Sequence, residues 1–200
     1  MALQMKPVRR VVTGNDAAGR SKVLFDGAAP SVHVGKVAAS AGMTEVWVFD
    51  CPATIMGERD DGNLPFSFEP PEHGGHLRVV QSAGREPGYD PAADTSAVPL
   101  HPPKKRATSA TLDRGGQNAF SSPVHKSHTV DVGIVMEGER TLILDDGRYA
   151  MQPGDTVVQL GNWHGWTNPN QPSLMAFIML GGIEVDVEAD EAAQDEGGRP

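Results

Sequence analysis

A chain of 200 residues with 23 glycines and 16 prolines has the length of one domain, and about a fifth of its positions are helix breakers, against an average of about 12%. That composition excludes a helix bundle, and the single cysteine, Cys51, excludes an internal disulfide framework and any multi-cysteine zinc site. Of the net charge of −9, −6 falls on 184–200, so the remainder is only mildly acidic and points to neither nucleic acid nor a membrane as partner.

In chain order, the first quarter offers β-type runs at 8–13, 22–26 and 44–49, the last being Thr44-Glu45-Val46-Trp47-Val48-Phe49. At 37–42 there is at most one helical turn. No run reaches the roughly 18 apolar residues that span a bilayer, and 1–10 has no apolar leader, so a cytoplasmic, soluble protein is expected. Ten of the prolines lie between Pro52 and Pro123, with one convincing strand among them at 76–82. The stretch 84–122 is polar, small and interrupted by Pro87, Pro91, Pro99, Pro102 and Pro103; it reads as a lid or dimer arm, or as a plain mobile loop. Lys104-Lys105-Arg106 within it reads as solvated loop. Gly115-Gly116 lacks the strand-before, helix-after context of a phosphate loop, so no nucleotide cofactor is expected.

From Pro123 the pattern sharpens. Strands are expected at 128–136, 141–144, 149–151, 156–159, 163–167 and 174–180. They are separated by Glu137-Gly138-Glu139, by a tight hairpin at Asp145-Asp146-Gly147 whose Asp-Gly step supplies positive φ, and by Pro153-Gly154-Asp155. Turns at this spacing favour an antiparallel sandwich or small barrel. The end, 184–200, has no apolar periodicity and reads as a solvated tail.

Three histidines fall in this region. Strand alternation puts 125, 127, 129 and 131 on one face, so His125 and Asp131 point into one interior while His128 points away unless a bulge re-aims it. His164 opens a later strand and shares a face with Trp166 and Asn168. Two imidazoles and a carboxylate around one point make a ligand set for Fe(II), Mn(II) or Zn(II). Each has a plainer reading: His164 a satisfied core histidine, Asp131 an acceptor for Thr129, His128 a surface residue. Gln159, Thr129 and Tyr149 are candidate substrate-binding residues, with Trp166 as core or pocket wall.

These residues resemble the cupin family. Its first motif ends in an acidic residue, six arbitrary residues and glycine, as Asp131 and Gly138 do, and His125 stands where the first histidine of a His-x-His pair belongs. Its second motif contains Gly-x2-His-x3-Asn, matched by Gly161, His164 and Asn168, and Pro153-Gly154-Asp155 resembles the turn that opens it. The match covers 123–180. The resemblance implies an all-β fold, a single cupin (jelly-roll-like) antiparallel β-barrel whose N-terminal strands complete it. That gives one domain at 1–183 with a Pro/Gly-rich insertion at 84–122 and an acidic tail at 184–200. It also implies a homodimer. The usual ligands are three histidines and a glutamate; here Ser127 takes one histidine position, Asp131 the glutamate position, and Gln159 replaces a proline.

The expected function is a small-molecule enzyme, with a divalent metal on His125, Asp131, His164 and His128, acting on a small oxygenated compound by decarboxylation, dehydration, isomerisation or oxygenation. His164 and Asp131 are the candidate catalytic residues. The rival is a metal-free barrel that binds a small molecule, with or without catalysis.

Overall fold

The computed structural model describes residues 9–28, 30–34, 42–45, 67–82, 87–107, 109–168 and 171–183. They contain fourteen strands and, apart from one 3₁₀ turn at Pro91–Ala93, no helix. The strands are β1 (Arg9–Asn15), β2 (Ser21–Ala28), β3 (Ser31–Val34), β4 (Gly42–Glu45), β5 (Gly75–Ser82), β6 (Lys104–Lys105), β7 (Leu112–Asp113), β8 (His125–Lys126), β9 (Thr129–Glu137), β10 (Arg140–Leu144), β11 (Gly147–Met151), β12 (Thr156–Leu160), β13 (Gly165–Thr167) and β14 (Ser173–Gly181). The expected strand at 44–49 is described only in part, as the end of β4. The turn at 37–42, except Gly42, Cys51 and the tail at 184–200 lie outside the described residues. No helix among the described residues is long and apolar enough to cross a membrane.

One face of the molecule is a six-stranded sheet in the order β2-β1-β12-β9-β14-β5. Opposite it lie β11-β10-β13 and the ribbon β6-β7-β8, which an isolated bridge between His125 and His164 joins to the start of β13. The all-β class and its layered architecture are as expected, with two differences. The strands form facing sheets rather than one closed hydrogen-bonded ring. The large sheet is also not wholly antiparallel: β1 runs parallel to β12, pairing Val11 with Val157 and Thr13 with Gln159.

The core lies between the layers. Val11, Val157, Val135, Met175 and Phe177 of the large sheet meet Leu142, Leu144, Met151 and Trp166 of the other. Gly133 makes this contact possible. It pairs directly with Phe177, and a Cβ on it would stand 2.8 Å from the Phe177 ring and 3.0 Å from Val157, so the missing side chain is the space the ring occupies. Phe177 then meets Trp166 edge-on at 5.7 Å, closing the sandwich. On the sheet's opposite face, Val12, Val132 and Val158 form a separate apolar cluster.

The turns behave as read, with one change. Gly138 has φ of +70° and its absent Cβ would meet Pro172 O, so glycine is required there. In the β10–β11 hairpin Leu144 pairs with Gly147, leaving Asp145 and Asp146 as the turn, and neither has positive φ. Asp145 is held instead by Ser21 N–H and Oγ–H and by Arg114. The Pro-rich stretch is more ordered than a structureless loop. It carries β6 and β7, and Arg114, Gly116 and Val124 tie it to itself by backbone bonds of 2.8–3.0 Å.

Candidate functional site

Register alone builds one half of the site. His76 pairs with Met179, Met179 with Asp131, Asp131 with Gln159, and Gln159 with Thr13. Directly paired residues share a face, so these five form one row across five strands, one step along from the apolar row of Phe177, Gly133 and Val157. Asp131 is 5% exposed and Gln159 1%. Asp131 Oδ1 and both amide atoms of Gln159 are buried with no hydrogen-bond partner. Burial pushes the Asp131 carboxyl up to about 6, against a hydrogen bond from Thr129 and the charge of Arg78, which act to lower it. At the row's edges, His76 Nε2 lies 3.2 Å from Met179 Sδ, and the Thr13 hydroxyl lies 2.9 Å from Asn162 Oδ1.

The other half is an imidazole pair. His125 and His164 exchange both backbone bonds, 2.8 and 3.0 Å, and their ring centroids stand 4.4 Å apart. Nδ1–H of His125 donates to Pro123 O at 2.9 Å and that of His164 to Asn162 O at 3.0 Å. Those bonds fix the tautomer and leave each Nε2 as a lone pair. Burial pushes His164 down to about 3, with the neighbouring His125 adding to it. His125 is pushed down to about 4 by burial, with Arg106 contributing. Both rings are therefore neutral at physiological pH.

Beside His125 sits Phe68. Its ring meets His125 edge-on at 5.7 Å, and the guanidiniums of Arg106 and Arg78 lie over it at 4.8 and 5.6 Å. Of the two guanidiniums on this ring, the charge of Arg78 acts on Asp131 and that of Arg106 on His125.

Of the residues singled out from sequence, His125, Asp131, His164, Gln159 and Thr129 are all buried between the layers. Trp166 is core, packed on Phe177. Tyr149 is half-buried at the core's edge, where burial and then a hydrogen bond with Asp146 raise its hydroxyl above the ordinary value. His128 is exposed, as alternation alone requires, and no bulge re-aims it; Glu69 is the charge it faces. Phe68, Arg78 and Arg106 carried no signal in sequence. Arg106, read as part of a solvated run, instead turns onto Phe68 and pairs with Asp113 at 3.2 Å.

The tautomers of His125 and His164 suit metal ligation, because both Nε2 lone pairs are available. The third donor is not in reach: among the described residues no three His, Cys, Asp or Glu side chains come close enough together to hold a metal ion. The arrangement thus offers two prepared ligands rather than the three of a typical catalytic site.

No family model matches the chain. The chain is 38% identical over 180 residues to the cupin-domain-containing oxidoreductase fogC of Aspergillus ruber, covering 86% of this chain and 72% of that one. It is 48% identical over 64 residues to the cupin-domain-containing oxidoreductase virC of Hypocrea virens, 30% of this chain and about a third (33%) of that relative's length. Among solved structures, a cupin protein from Bacteroides fragilis superposes with a TM-score of 0.34 over 72% of this chain and 96% of that one, at 10% identity.

Proposed function

This chain belongs to the cupin-domain family, and we propose that it is an enzyme moving a proton on a small hydroxy-carbonyl compound, with Asp131 as the group that takes and returns it. The observation that carries the reading is the Asp131 carboxyl: buried, with Oδ1 unpartnered, and held at about 6. A general base works best with a proton affinity near the operating pH, which Asp131 has. His164, at about 3, is too weak a base for that task and takes another: its Nε2 and that of His125 accept hydrogen bonds from substrate hydroxyls. The Gln159 amide, with both ends free, donates to the carbonyl oxygen, where negative charge develops as the adjacent carbon loses its proton. Thr129 steadies the carboxylate. Dehydration and isomerisation both begin with this proton removal. Enediol formation from an α-hydroxy ketone begins in the same way, and its oxidation would need a separate two-electron acceptor.

The test uses small α-hydroxy ketones in D2O, with loss of the α-proton followed by NMR. The protein is expected to speed exchange with an apparent pKa near 6, and Asp131→Asn to slow it by about 10²-fold or more. His164→Gln is expected mainly to weaken binding. Exchange equally fast with the Asp131→Asn protein, or binding of these ketones without exchange, overturns the catalytic reading, and the second outcome favours a small-molecule carrier.

A second reading is favoured by the two free Nε2 atoms: a divalent metal, iron, manganese or zinc, on His125 and His164 with Asp131 as third donor after a shift of its side chain. Tag-free protein reconstituted with each metal and then desalted is expected, on this reading, to retain one ion, and His125→Ala and His164→Ala each to lose it. Retention below stoichiometry for all three metals removes this reading and leaves the proton-transfer proposal standing.

A further inference from the structure

The His125 ring of the imidazole pair is met edge-on by Phe68 of a short segment, 67–70, which is tied to other parts of the chain. Arg78 donates to Phe68 O at 3.1 Å and to Ser67 O at 2.6 Å, holding the segment's backbone. Glu69 is caught at both carboxylate oxygens: Ala110 N–H donates to Oε2 at 3.0 Å, and the Thr111 hydroxyl donates to Oε1. Thr111 has one hydroxyl proton, so the 3.1 Å contact with Ser127 Oγ is a bond that Ser127 donates. Thr111 is fully buried and Ser127 nearly so. A chain Ser127–Thr111–Glu69 thus runs from the strand beside His125 out to the segment. Phe68, between the two guanidiniums, puts its ring edge on His125.

We propose that residues 67–70 are a strap closing the candidate site, with Phe68 as its plug and the Ser127–Thr111–Glu69 chain as its latch, so that Phe68 determines which molecules reach the imidazole pair. The proposal rests on the functional reading above only in taking the pair as a ligand's destination. It does not depend on Asp131 or on turnover. Among the described residues, the segment is held by hydrogen bonds from Arg78, Ala110 and Thr111 and by the ring contacts of Phe68, and the hydrogen bonds can be exchanged for bonds to water when the segment opens. Arg78 has its own charge contact with Asp131 and Arg106 its pairing with Asp113, so neither guanidinium loses all its partners when the ring leaves. The plug selects by size and shape: a molecule must fit the space the ring vacates beside His125. The position that a His-x-His pair would fill with a second imidazole is here Ser127, the inner end of the latch.

The experiment is carbethoxylation of the full chain by diethyl pyrocarbonate at pH 7, with each histidine followed by peptide mass spectrometry. Both buried imidazoles are unprotonated at that pH, so their rates read access. His73, exposed in the turn before β5, is the internal reference. In the unaltered protein His125 is expected to react far more slowly than His73. Phe68→Ala is expected to raise the His125 rate about tenfold or more relative to His73, the effect of freeing a closed local state. Thr111→Val and Glu69→Gln, which loosen the latch and keep the plug, are expected to raise it by a smaller factor. A His125 rate equal to that of His73 in the unaltered protein overturns the strap. So does an unchanged ratio in Phe68→Ala together with Thr111→Val. If Phe68→Ala unfolds, so that all histidines accelerate together, the two latch variants decide: selective acceleration at His125 supports the strap and no change overturns it.

Discussion

Asp131 and His164 are moved by the same cause in opposite directions, because burial penalises whichever form is charged: it raises the carboxyl and lowers the imidazole. The sequence makes both residues candidates for catalysis without dividing the roles between them. On the proposed function the work is divided. A nearly sealed imidazole with its Nδ1–H spent on a backbone carbonyl offers a lone pair and little basicity, whereas the carboxyl is brought to the range where it both takes and gives a proton. The row's unpartnered atoms point the same way. Three buried polar atoms, Asp131 Oδ1 and both ends of the Gln159 amide, each forgo a hydrogen bond at a cost of about 1–3 kcal/mol. On the proposed function, a ligand carrying hydroxyl and carbonyl groups recovers part of that on binding.

At the level of elements, the β9–β14 pair shows how narrowly the sandwich is fitted. Replacing Gly133 with alanine removes backbone freedom from the unfolded chain but places a methyl against the Phe177 ring and Val157. The ring is wedged on Trp166, so overpacking prevails and a loss of about 1–3 kcal/mol is expected in urea denaturation, with the slope unchanged. Phe177→Leu in the same chain is expected to return part of the loss, and a Gly133→Ala protein as stable as the original would show that the ring has room to move. From β9 onward, elements of this kind were legible, because period-two alternation and Gly or Asp turns are local signals. What alternation cannot reveal is a partner. Nothing in 9–15 says that this strand runs parallel to β12 rather than in a hairpin alone, and two-residue strands such as β6 and β7 are too short for any period. The site divides in the same way. His125, Asp131 and His164 were singled out from alternation and motif spacing, whereas the direction of Gln159 was not set by anything in the sequence. Phe68 was not singled out, because its partners Arg78, Arg106 and His125 are far off in sequence and only the fold brings them to one ring.

The buried groups couple to the stability of the whole molecule, and the signs are separable. His125 and His164 titrate at about 4 and 3 in the folded chain and at 6.5 when unfolded. As pH falls through 6.5 the unfolded chain gains protons that the folded one refuses, so stability is lost between about 6.5 and 4. Asp131 does the reverse: its folded value of about 6 exceeds the ordinary 3.8, so the folded chain binds its proton first and gains stability as pH falls from about 6 to 3.8. Two losses outweigh one gain, and thermal midpoints are expected to fall from pH 7.5 to 4.5. Asp94, Asp145 and Asp26, held below the ordinary carboxylate range by their hydrogen bonds, add a further loss only at lower pH. Asp131→Asn isolates the opposing contribution. At pH 7.5 it removes a buried charge whose ionisation costs on the order of 3 kcal/mol, so the variant is expected to melt higher than the original. On acidification it lacks the offset and declines more steeply, and the two curves meet near pH 4, where the original carboxyl is itself neutral. Parallel curves across that range would mean that Asp131 ionises as an exposed carboxylate does, and would remove the electrostatic ground on which it was given the proton.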